Sequence, residues 1–509
     1  MRRLLSGVGL VAAVAAVAVG GSVAQAGPAG PPAPRAVTVT PPPTSAVCPA
    51  PPALVTAGDD ALGAPATDPQ FDPSPVDVDS SLRAVVAPGT SAGLTGRVLA
   101  GPASEGADPP AAAVEGAGPT VESDGAAATA VVAAPAPDAA APPSLGALHT
   151  ALTTAGDLRG LAATGCAAPA SSGWLVGGAT AVGRSARLVL ANPHATPASV
   201  DLTVLTATGP AQPAAGQGVV LAPGEQRELL LEGLVPDADA VAVHYSAHGA
   251  RVSALLVTTR LDGLTPSGVE VVSPAAPAAL RQVVPGLGVD GATGLTLRLA
   301  APGTGPVVVR WQLHGVDGPV VDPAAGAAVT VEGGTVVDVE LPAVEPGDYA
   351  LVVDGDAPVL AAVSVERGAA EEPSDIAWAR AVGALSGTSV VALPADDEVE
   401  ARLALVAADG TAAVELVELA ADGTPGSSQS VNAGAGAVVA VDVDVDELDD
   451  ATVALLVRPL SGSVHAATVL TASSDDGEDD LVSVVGTAPA PVAPDAVRIV
   501  SPRAGDWPG

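Results

Sequence analysis

Residues 186–206 read ARLVLANPHATPASVDLTVLT and contain two short strand patterns separated by a turn signal. From residue 200 to residue 206, apolar and polar side chains alternate, as they do in a strand that buries one face. Asn192-Pro193 ends the first run, because proline and its preceding residue disfavour continued regular structure. This stretch therefore predicts two consecutive strands of an antiparallel sheet.

The same pattern recurs twice further along the chain. The first strand has counterparts in TLRLAAPG at 296–303 and RLALVAADG at 402–410. Val252, Val359 and Val464 occupy equivalent places in the closing strands, 107 and 105 residues apart. A period of this length matches a complete small β-sandwich, whereas a propeller blade needs only about 40–50 residues.

The fold class predicted from this repeat is all-β. Each repeat offers roughly seven short strands, the number in an immunoglobulin-like or fibronectin-like β-sandwich. The chain has 58 glycines and 50 prolines, which argues against a mainly helical protein, and its 48% hydrophobic content argues against wholesale disorder. Since only 1% of residues are aromatic, the cores are expected to be aliphatic. We predict tandem β-sandwiches preceded by a less regular N-terminal β region.

The repeats also suggest the domain organisation. An irregular N-terminal β region is predicted at 46–173, and within it the Ala- and Leu-rich segment 144–163 has a helix-like pattern. The Trp residues that lead the repeats, such as Trp174 and Trp378, are predicted to be packing anchors rather than ligand platforms. The predicted segments are 1–26 (signal peptide), 27–45 (Pro-rich linker), 46–173 (irregular region), 174–285, 286–385 and 386–487 (three sandwiches), and 488–509 (C-terminal tail).

The N-terminus has the features of an export signal. Arg2 and Arg3 precede an uncharged apolar run at 4–23, and Ala24-Gln25-Ala26 has the small-residue pattern of a cleavage site. A retained membrane anchor is the alternative, because the apolar run is long enough to span a bilayer. Both alternatives place the rest of the chain outside the cytoplasm, either secreted or associated with the cell envelope.

Cys48 and Cys166 are the only cysteines in the chain. An even number of cysteines in an exported protein favours a disulfide, so we predict that these two are bonded to each other. The alternative is a pair of separate buried thiols. A metal site is disfavoured, because neither cysteine has the neighbouring ligands that such a site needs.

The charge of the chain limits its partners. There are 56 acidic and 20 basic residues, none of them lysine, which gives a formal net charge of −36 and a pI near 4.1. Nucleic-acid binding requires a basic face, so nucleic acid is not an expected partner. Anionic lipid surfaces attract basic segments, so no membrane contact is expected other than through the N-terminal anchor, if it is retained. The expected partner is a basic exported protein or a cell-envelope component, bound in a salt-sensitive manner.

Three runs of sequence resemble a known family. They are 173–210 (which contains GRSARLVLANP), 221–246 (LAPGEQRELLLEGLVPDADAVAVHYS) and 260–287 (from RLDGLTPSGVEVV to RQVVPGL). The chain resembles, from about Cys48 to its C-terminal end, a family of uncharacterised exported actinobacterial proteins catalogued as a domain of unknown function. The resemblance implies an exported protein and assigns no activity or site residue.

Two glycine-rich motifs match catalytic or cofactor-binding patterns only superficially. Gly89-Thr90-Ser91-Ala92-Gly93 matches G-x-S-x-G, but no helical pattern follows it, as a nucleophile elbow requires. The run 286–291 matches G-x-G-x-x-G, but a strand pattern follows where a dinucleotide site requires a helix. We interpret the second motif as a turn between two domains.

Candidate metal ligands are similarly weak. The run 442–447 (DVDVDE) lacks the glycine and the terminal glutamate of a helix-loop-helix calcium site, and 475–480 (DDGEDD) has the composition of a solvated loop. Weak calcium binding is the one cofactor possibility left open at these two runs. His244 and His248 lie on a predicted strand, where a four-residue separation of ~13 Å is too long for one ion.

These observations favour a binding protein over an enzyme. We expect a non-enzymatic extracytoplasmic scaffold, with no catalytic, cofactor-binding or metal-binding residues assigned. The alternative is a cell-envelope enzyme, a hydrolase or a glycan-modifying enzyme, with its site in the non-repeated region 46–173. A buried, concave cluster of polar side chains in that region would favour the enzyme.

Overall fold

The prediction of an all-β fold is confirmed. A computed structural model describes residues 35–37, 41–53, 78–99, 113–114, 118–124, 127–137, 139–291, 293–320, 328–368, 372–443, 452–474, 480–491 and 497–499. Within these ranges the regular structure is β, apart from a 3₁₀ turn at Ala214–Gly216. None of the described helical structure is long and apolar enough to cross a membrane. The predicted signal peptide at 1–26 lies outside the described residues.

The chain divides into two compact parts. The smaller one contains residues 1–40 and 493–509, and its described residues form an antiparallel pair of strands, β1 (Arg35–Val37) and β35 (Val497–Ile499). The larger one spans residues 41–492 and contains every other described strand. We divide it into units I (44–164), II (172–272), III (279–380) and IV (389–486).

The described residues of units I and II form 17 strands. Those of unit I are β2 (Thr44–Cys48), β3 (Asp79–Val86), β4 (Ser91–Val98), β5 (Ala113–Val114), β6 (Thr120–Asp124), β7 (Thr129–Pro135), β8 (Leu145–Thr153) and β9 (Gly160–Thr164). Those of unit II are β10 (Ser172–Val176), β11 (Arg184–Ala191), β12 (Ala198–Thr206), β13 (Gly209–Ala211), β14 (Val219–Leu221), β15 (Gln226–Leu230), β16 (Val241–Gly249), β17 (Ser253–Asp262) and β18 (Thr265–Val272).

Units III and IV contain eight strands each. Those of unit III are β19 (Ala279–Val289), β20 (Thr293–Ala300), β21 (Val307–Gly315), β22 (Gly318–Pro319), β23 (Val329–Val331), β24 (Val336–Glu340), β25 (Gly347–Arg367) and β26 (Asp375–Arg380). Those of unit IV are β27 (Ser389–Ala392), β28 (Glu400–Val406), β29 (Ala412–Ala420), β30 (Pro425–Ala433), β31 (Val438–Val443), β32 (Thr452–Ser461), β33 (His465–Ala472) and β34 (Leu481–Gly486).

All four units share one strand order. One sheet of each, here called the inner sheet, runs β6-β3-β8-β9, β15-β11-β17-β18, β24-β20-β25-β26 and β31-β28-β33-β34 in units I to IV. The other runs β2-β7-β4-β5, β10-β16-β12-β13, β19-β25-β21-β22 and β27-β32-β29-β30. The repeat therefore extends to unit I, within the region expected to be irregular. The predicted boundaries near 285 and 385 stay predictions.

The helix-like interpretation of residues 144–163 is wrong. This segment forms β8 and β9, joined by a short turn. Eight of the nine residues of β8 and all five of β9 are buried, so both faces of these strands are covered. A strand covered on both faces has no polar positions to alternate, and its continuous Ala- and Leu-rich run then looks like a helix.

The cores between the sheets are aliphatic, as expected. In unit IV, for example, Leu403 and Leu405 of the inner sheet pack with Val414, Leu416 and Val457 of the other sheet, and all five are buried. In unit III the long strand β25 belongs to both sheets, pairing with β21 through its first half and with β20 through its second half. In the other units two separate strands take these two positions.

The last strands of the four inner sheets meet around a common axis. Strand β9 lies beside β18, β18 beside β26, β26 beside β34, and β34 beside β9. We call these the axial strands. Each axial strand pairs along one edge with a strand of its own inner sheet. Its other edge forms no β-ladder with another axial strand. Their free backbone groups must therefore find other partners.

Candidate functional site

A buried aspartate satisfies backbone groups of three axial strands. The carboxylate of Asp375 accepts hydrogen bonds from the backbone N–H groups of Leu161 at 3.0 Å, Val482 at 2.9 Å and Ile376 at 2.9 Å. These donors belong to units I, IV and III, and Asp375 itself has no solvent exposure. Burial raises the pKa of Asp375 to about 7, although the three N–H groups and the nearby Arg159 favour the ionised form.

Two glycines make room for the Asp375 carboxylate. A Cβ atom at Gly160 would lie 2.6 Å from its Oδ1 atom, and one at Gly268 would lie 2.7 Å from the same atom. The Cβ at Gly268 would also lie 2.5 Å from the backbone nitrogen of Ile376. Both glycines have positive φ angles, 153° and 108°, that side chains disfavour. The backbone of units I and II can therefore approach the carboxylate only because these positions are glycine.

Glu270 has a similar role further along the axis. Its carboxylate accepts hydrogen bonds from the hydroxyl of Ser483 at 2.8 Å, from its neighbouring Val271 N–H at 2.6 Å and from the Ala163 N–H at 3.4 Å. Glu270 is 1% exposed, and burial raises its pKa well above the usual range. From the contacts of Asp375 to those of Glu270, the residue numbers increase on β9 and on β34 alike. The axial strands therefore run in the same direction.

An arginine closes this end of the axis. The guanidinium of Arg159, in unit I, pairs with the carboxylate of Asp480, just before β34, and donates to the Ser474 hydroxyl, just after β33, at 3.0 Å. It also donates to the backbone carbonyl of Ser374, which precedes β26, at 3.3 Å. Arg159 is only 4% exposed, so its charge is compensated inside the protein. The polar axis thus links all four units.

The geometry of Glu270 and Asp375 suits structure better than catalysis. A general acid or base must reach a substrate, directly or through one water. Both carboxylates are instead enclosed, and both already accept hydrogen bonds from the strands around them. What they can do chemically is supply acceptors to backbone donors that the open strand edges leave unpaired.

A cavity of about 520 Å³ opens at the opposite end of the axial strands. Gly165, Ser273, Arg380 and Gly486, at or just beyond the C-terminal ends of β9, β18, β26 and β34, line it. Its walls come mostly from small apolar and hydroxyl-bearing residues of units I, II and IV. Its volume falls in the range of small-molecule sites, ~300–1,000 Å³.

Arg380 is the cationic side chain of this cavity. Its Nη2 atom donates to the Gly486 carbonyl at 2.6 Å. Among the residues that the structure describes, no carboxylate forms an ion pair with it. Burial lowers the pKa of Arg380 to about 10. This guanidinium thus differs from that of Arg159, which is neutralised by Asp480.

Aromatic side chains form another section of the cavity wall. The rings of Trp174 and His244 lie 4.7 Å apart between centroids, at an interplanar angle of 41°. Tyr245 lines the cavity next to them, and burial raises its pKa to about 12. Trp174 is half-buried and lines the cavity as well as packing on unit II. The sequence predicted a packing anchor here and gave no sign of the cavity.

Trp378 matches the predicted role of a packing anchor. It is 7% exposed, and the guanidinium carbon of Arg298 lies 4.6 Å from its ring centroid. Arg298 also forms a two-pronged ion pair with Asp338, at 2.8 and 2.7 Å, and donates to the carbonyl of Gly178. This buried arginine of unit III therefore fastens unit II.

The two glycine-rich motifs have structural roles. Ser91 begins β4, where its hydroxyl donates to the Ala134 carbonyl at 2.7 Å, and no helix follows. The interpretation of 286–291 as a turn is partly wrong, because Gly286 and Gly288 belong to β19 and the turn begins after Val289. The strand expected after this motif is present as β20.

The candidate metal ligands do not converge. His244 and His248 lie on one strand, β16, where His244 contacts Trp174 and His248 has a 71% exposed side chain. The carboxylate of Asp442 accepts a hydrogen bond from Arg402 at 2.6 Å. Within the described ranges no group of three or more His, Cys, Asp or Glu residues could hold a metal ion. Residues 444–450 and 475–479, most of the two acidic runs, lie outside those ranges.

The predicted disulfide between Cys48 and Cys166 is present, with 4.5 Å between the two Cα atoms. It joins the end of β2 to the segment just after β9, and 118 residues separate the two cysteines in sequence. The adjacent residues Val47 and Ala167 exchange two backbone hydrogen bonds of 2.9 Å. The disulfide therefore anchors the C-terminal end of an axial strand to the first strand of unit I.

Comparison with known proteins identifies a family but no activity. A family model described as "Family of unknown function (DUF5719)" matches residues 120–444. No curated protein matches the chain. The crystal structure of Thermotoga maritima 1070 aligns at 14% identity over 20% of this chain and 93% of that chain, with a TM-score of 0.18. A TM-score this low supports no argument about fold or function.

Proposed function

We propose that this chain, which belongs to the DUF5719 family of unknown function, is an extracytoplasmic scaffold that binds a basic partner without catalysing a reaction. The observation that carries this proposal is the polar axis, where Asp375 and Glu270 accept hydrogen bonds from strands of the surrounding units. Because these buried carboxylates are hydrogen-bonded to strands of several units, they favour a rigid arrangement of the four units. A rigid arrangement holds its exposed loops at fixed distances, which suits binding.

The arrangement of charge supports a basic partner. Nine arginines form ion pairs with acidic residues within the described ranges of the chain, and the axial Arg159 is one of them. These pairs consume positive charge, while the chain as a whole carries −36. Acidic side chains that are exposed, such as Asp397 and Glu398, then dominate the surface field. Such a field attracts a cationic surface and speeds association at low salt.

Two observations support a location outside the cytoplasm. The Cys48–Cys166 disulfide is of the kind that persists in oxidising compartments. The N-terminal sequence, with Arg2 and Arg3 before an apolar run and Ala24-Gln25-Ala26 after it, has the pattern of an export signal. The location is tested by fractionating cells that produce the full chain and by sequencing the N-terminus of the mature protein.

The binding proposal is tested with the chain from residue 27 onward, immobilised and exposed to a cell-envelope extract. We expect a basic protein to be retained at about 50 mM salt and released by about 500 mM salt, because screening shortens the reach of surface charges. Polyglutamate should compete for this partner, whereas uncharged dextran should not. Retention of an acidic or neutral partner, unaffected by salt, would contradict the proposal.

The enzyme alternative makes an opposite prediction. A hydrolase or glycan-modifying enzyme with a site in 46–173 would turn over envelope glycans or esters. Turnover that is lost on substituting buried polar residues of unit I, such as His149 or Thr150, while the fold remains intact, would establish that alternative. Absence of turnover together with salt-sensitive binding supports the scaffold.

A further inference from the structure

The cavity at the C-terminal ends of the axial strands contains a cation that pairs with no carboxylate of the described residues. Its guanidinium belongs to Arg380, which donates to one carbonyl, that of Gly486, and to no carboxylate of the described residues. A charge withdrawn from water is costly unless it is paired. Two buried arginines elsewhere, Arg159 on the axis and Arg298 on β20, both have a carboxylate partner. Arg380 thus has donor capacity that the protein leaves available in the cavity.

A second donor lines the same cavity. Tyr245 is 1% exposed, and its phenol lines the cavity. Its ring edge and hydroxyl pack directly on Gly173, another lining residue, where a Cβ atom would lie 2.7 Å from the hydroxyl oxygen. A buried phenol usually finds an acceptor, and a ligand in the cavity that Tyr245 lines would supply one.

The remaining wall is mostly apolar. Alanines, prolines and valines contribute much of it, including Ala147, Ala275 and Pro489, and the indole of Trp174 adds to it. Such a wall favours the apolar body of a ligand, whereas the guanidinium and the phenol favour an anionic head. An inorganic anion alone would leave most of the cavity, about 520 Å³, unfilled.

We infer that this cavity is a binding site for an organic anion with a carboxylate head and a compact aliphatic body, the head held by Arg380 and Tyr245. This inference does not depend on the acidic surface or on its partner. A carboxylate of a free fatty acid and one at the end of a longer lipid or peptide share this chemistry, and a free acid is the simplest probe.

The test compares probes that share one aliphatic body. Octanoate, octanol and octylamine differ in the head group, and inorganic phosphate provides an anion without a body. We expect calorimetry at pH 7.5 to detect octanoate binding at least tenfold tighter than octanol binding, with no binding of octylamine or of phosphate in the same range. Equal binding of octanoate and octanol, binding of phosphate alone, or no binding of octanoate would each overturn the proposal.

Two variants locate the site. Arg380→Gln keeps a polar side chain and removes the charge, so octanoate should bind at least tenfold more weakly. The unliganded variant should be no less stable than the parent, because it loses a partly buried charge that no described carboxylate pairs with. Tyr245→Phe keeps the ring and removes the hydroxyl, and we expect it to bind octanoate severalfold more weakly. This variant tests the site even if Arg380→Gln does not fold. Arg402→Gln, on the exposed face of unit IV, is the matched control and should bind octanoate like the parent. Unchanged octanoate affinity in both cavity variants would place the ligand elsewhere.

Discussion

The hydroxyl of Ser483 in unit IV lies 2.8 Å from the carboxylate of Glu270 in unit II, across the axis on which all four units meet. Both residues are almost fully buried. This contact joins positions that are 213 residues apart in sequence, and neither position belongs to a motif. Polar groups therefore join the units at the centre of the fold. Around them, aliphatic clusters also span neighbouring units, such as the one that packs Leu152 of unit I with Leu470 of unit IV.

Removing this hydroxyl should destabilise the whole arrangement. We expect Ser483→Ala to lower the free energy of unfolding by about 1–3 kcal/mol, because the buried Glu270 carboxylate loses a donor and the Ala163 N–H loses an acceptor. Chemical denaturation measures this change. Ser430→Ala, at an exposed position of β30, is the control and should change stability by less than about 0.5 kcal/mol. A loss no larger than the control's would argue that the axial contact contributes nothing.

Asp375 should make the protein less stable as the pH rises. Its pKa is about 7 in the folded protein and 3.8 in the reference state, so the folded state holds the proton more tightly. The stabilisation from the protonated form is complete below about pH 4 and is lost as the pH rises through 7, by about 4 kcal/mol. Asp375→Asn should remove this loss, at the cost of a pH-independent penalty from its amide group. Parallel stability–pH curves for variant and parent between pH 4 and 8 would contradict the assignment.

His149 should have the opposite effect in an overlapping range. It is 2% exposed, neither ring nitrogen has a hydrogen-bond partner, and burial lowers its pKa from 6.5 to about 4. In this pH range the His149 imidazole is protonated in the unfolded chain but stays neutral in the folded protein. About 3 kcal/mol of stability is therefore lost as the pH falls from 6.5 to 4. His149→Leu should abolish this loss, whereas His248→Leu, at an exposed position, should not. A variant as acid-sensitive as the parent would refute this role.

The disulfide should contribute substantially to stability. The loop closed by Cys48 and Cys166 has a sequence separation of 118 residues, for which the chain-entropy model gives roughly 5 kcal/mol. Replacing both cysteines by alanine should lower the denaturation midpoint markedly, and reduction of the parent should lower it to a similar value. Reductant should leave the double variant unchanged, since the chain has no other cysteine. Full resistance of the parent midpoint to complete reduction would contradict the prediction.

Arg298→Lys should loosen the contact between units II and III. Lysine cannot reproduce the two-pronged pair with Asp338 together with the bond to the Gly178 carbonyl and the stacking on Trp378. We expect a loss of about 2–3 kcal/mol, measured by denaturation. Arg402→Lys at an exposed ion pair is the matched control, with an expected change below about 1 kcal/mol. Similar losses in the two variants would show that burial of Arg298 adds nothing.

The sequence was sufficient to predict sandwiches where strands alternate between a buried and an exposed face. Residues 200–204 show this directly, since the predicted alternation matches the burial of this part of β12. It was insufficient for β8 and β9, because strands buried on both faces lose the alternation. The kinship of unit I with the other units was hidden for the same reason.

The candidate site was beyond the reach of the sequence. Glu270 stands in the run GVEVV and Asp375 in SDIAW, where a carboxylate in a strand pattern predicts a solvated face. Their burial depends on strands of other units, and no local pattern reports such distant packing. Arg380 was likewise visible only as one charge at the end of a buried strand. A cavity formed by the ends of strands from separate repeats has no linear signature.

The meeting of the four axial strands has a consequence for biogenesis. An open strand edge is a template for pairing with other chains, and here four such edges shield one another. The shield is complete only when β34, at residues 481–486, has arrived. During synthesis from the N-terminus, the chain exposes unpaired strand edges until nearly all of it has been made. Premature termination therefore poses a risk of aggregation, and delivery of the last repeat removes it.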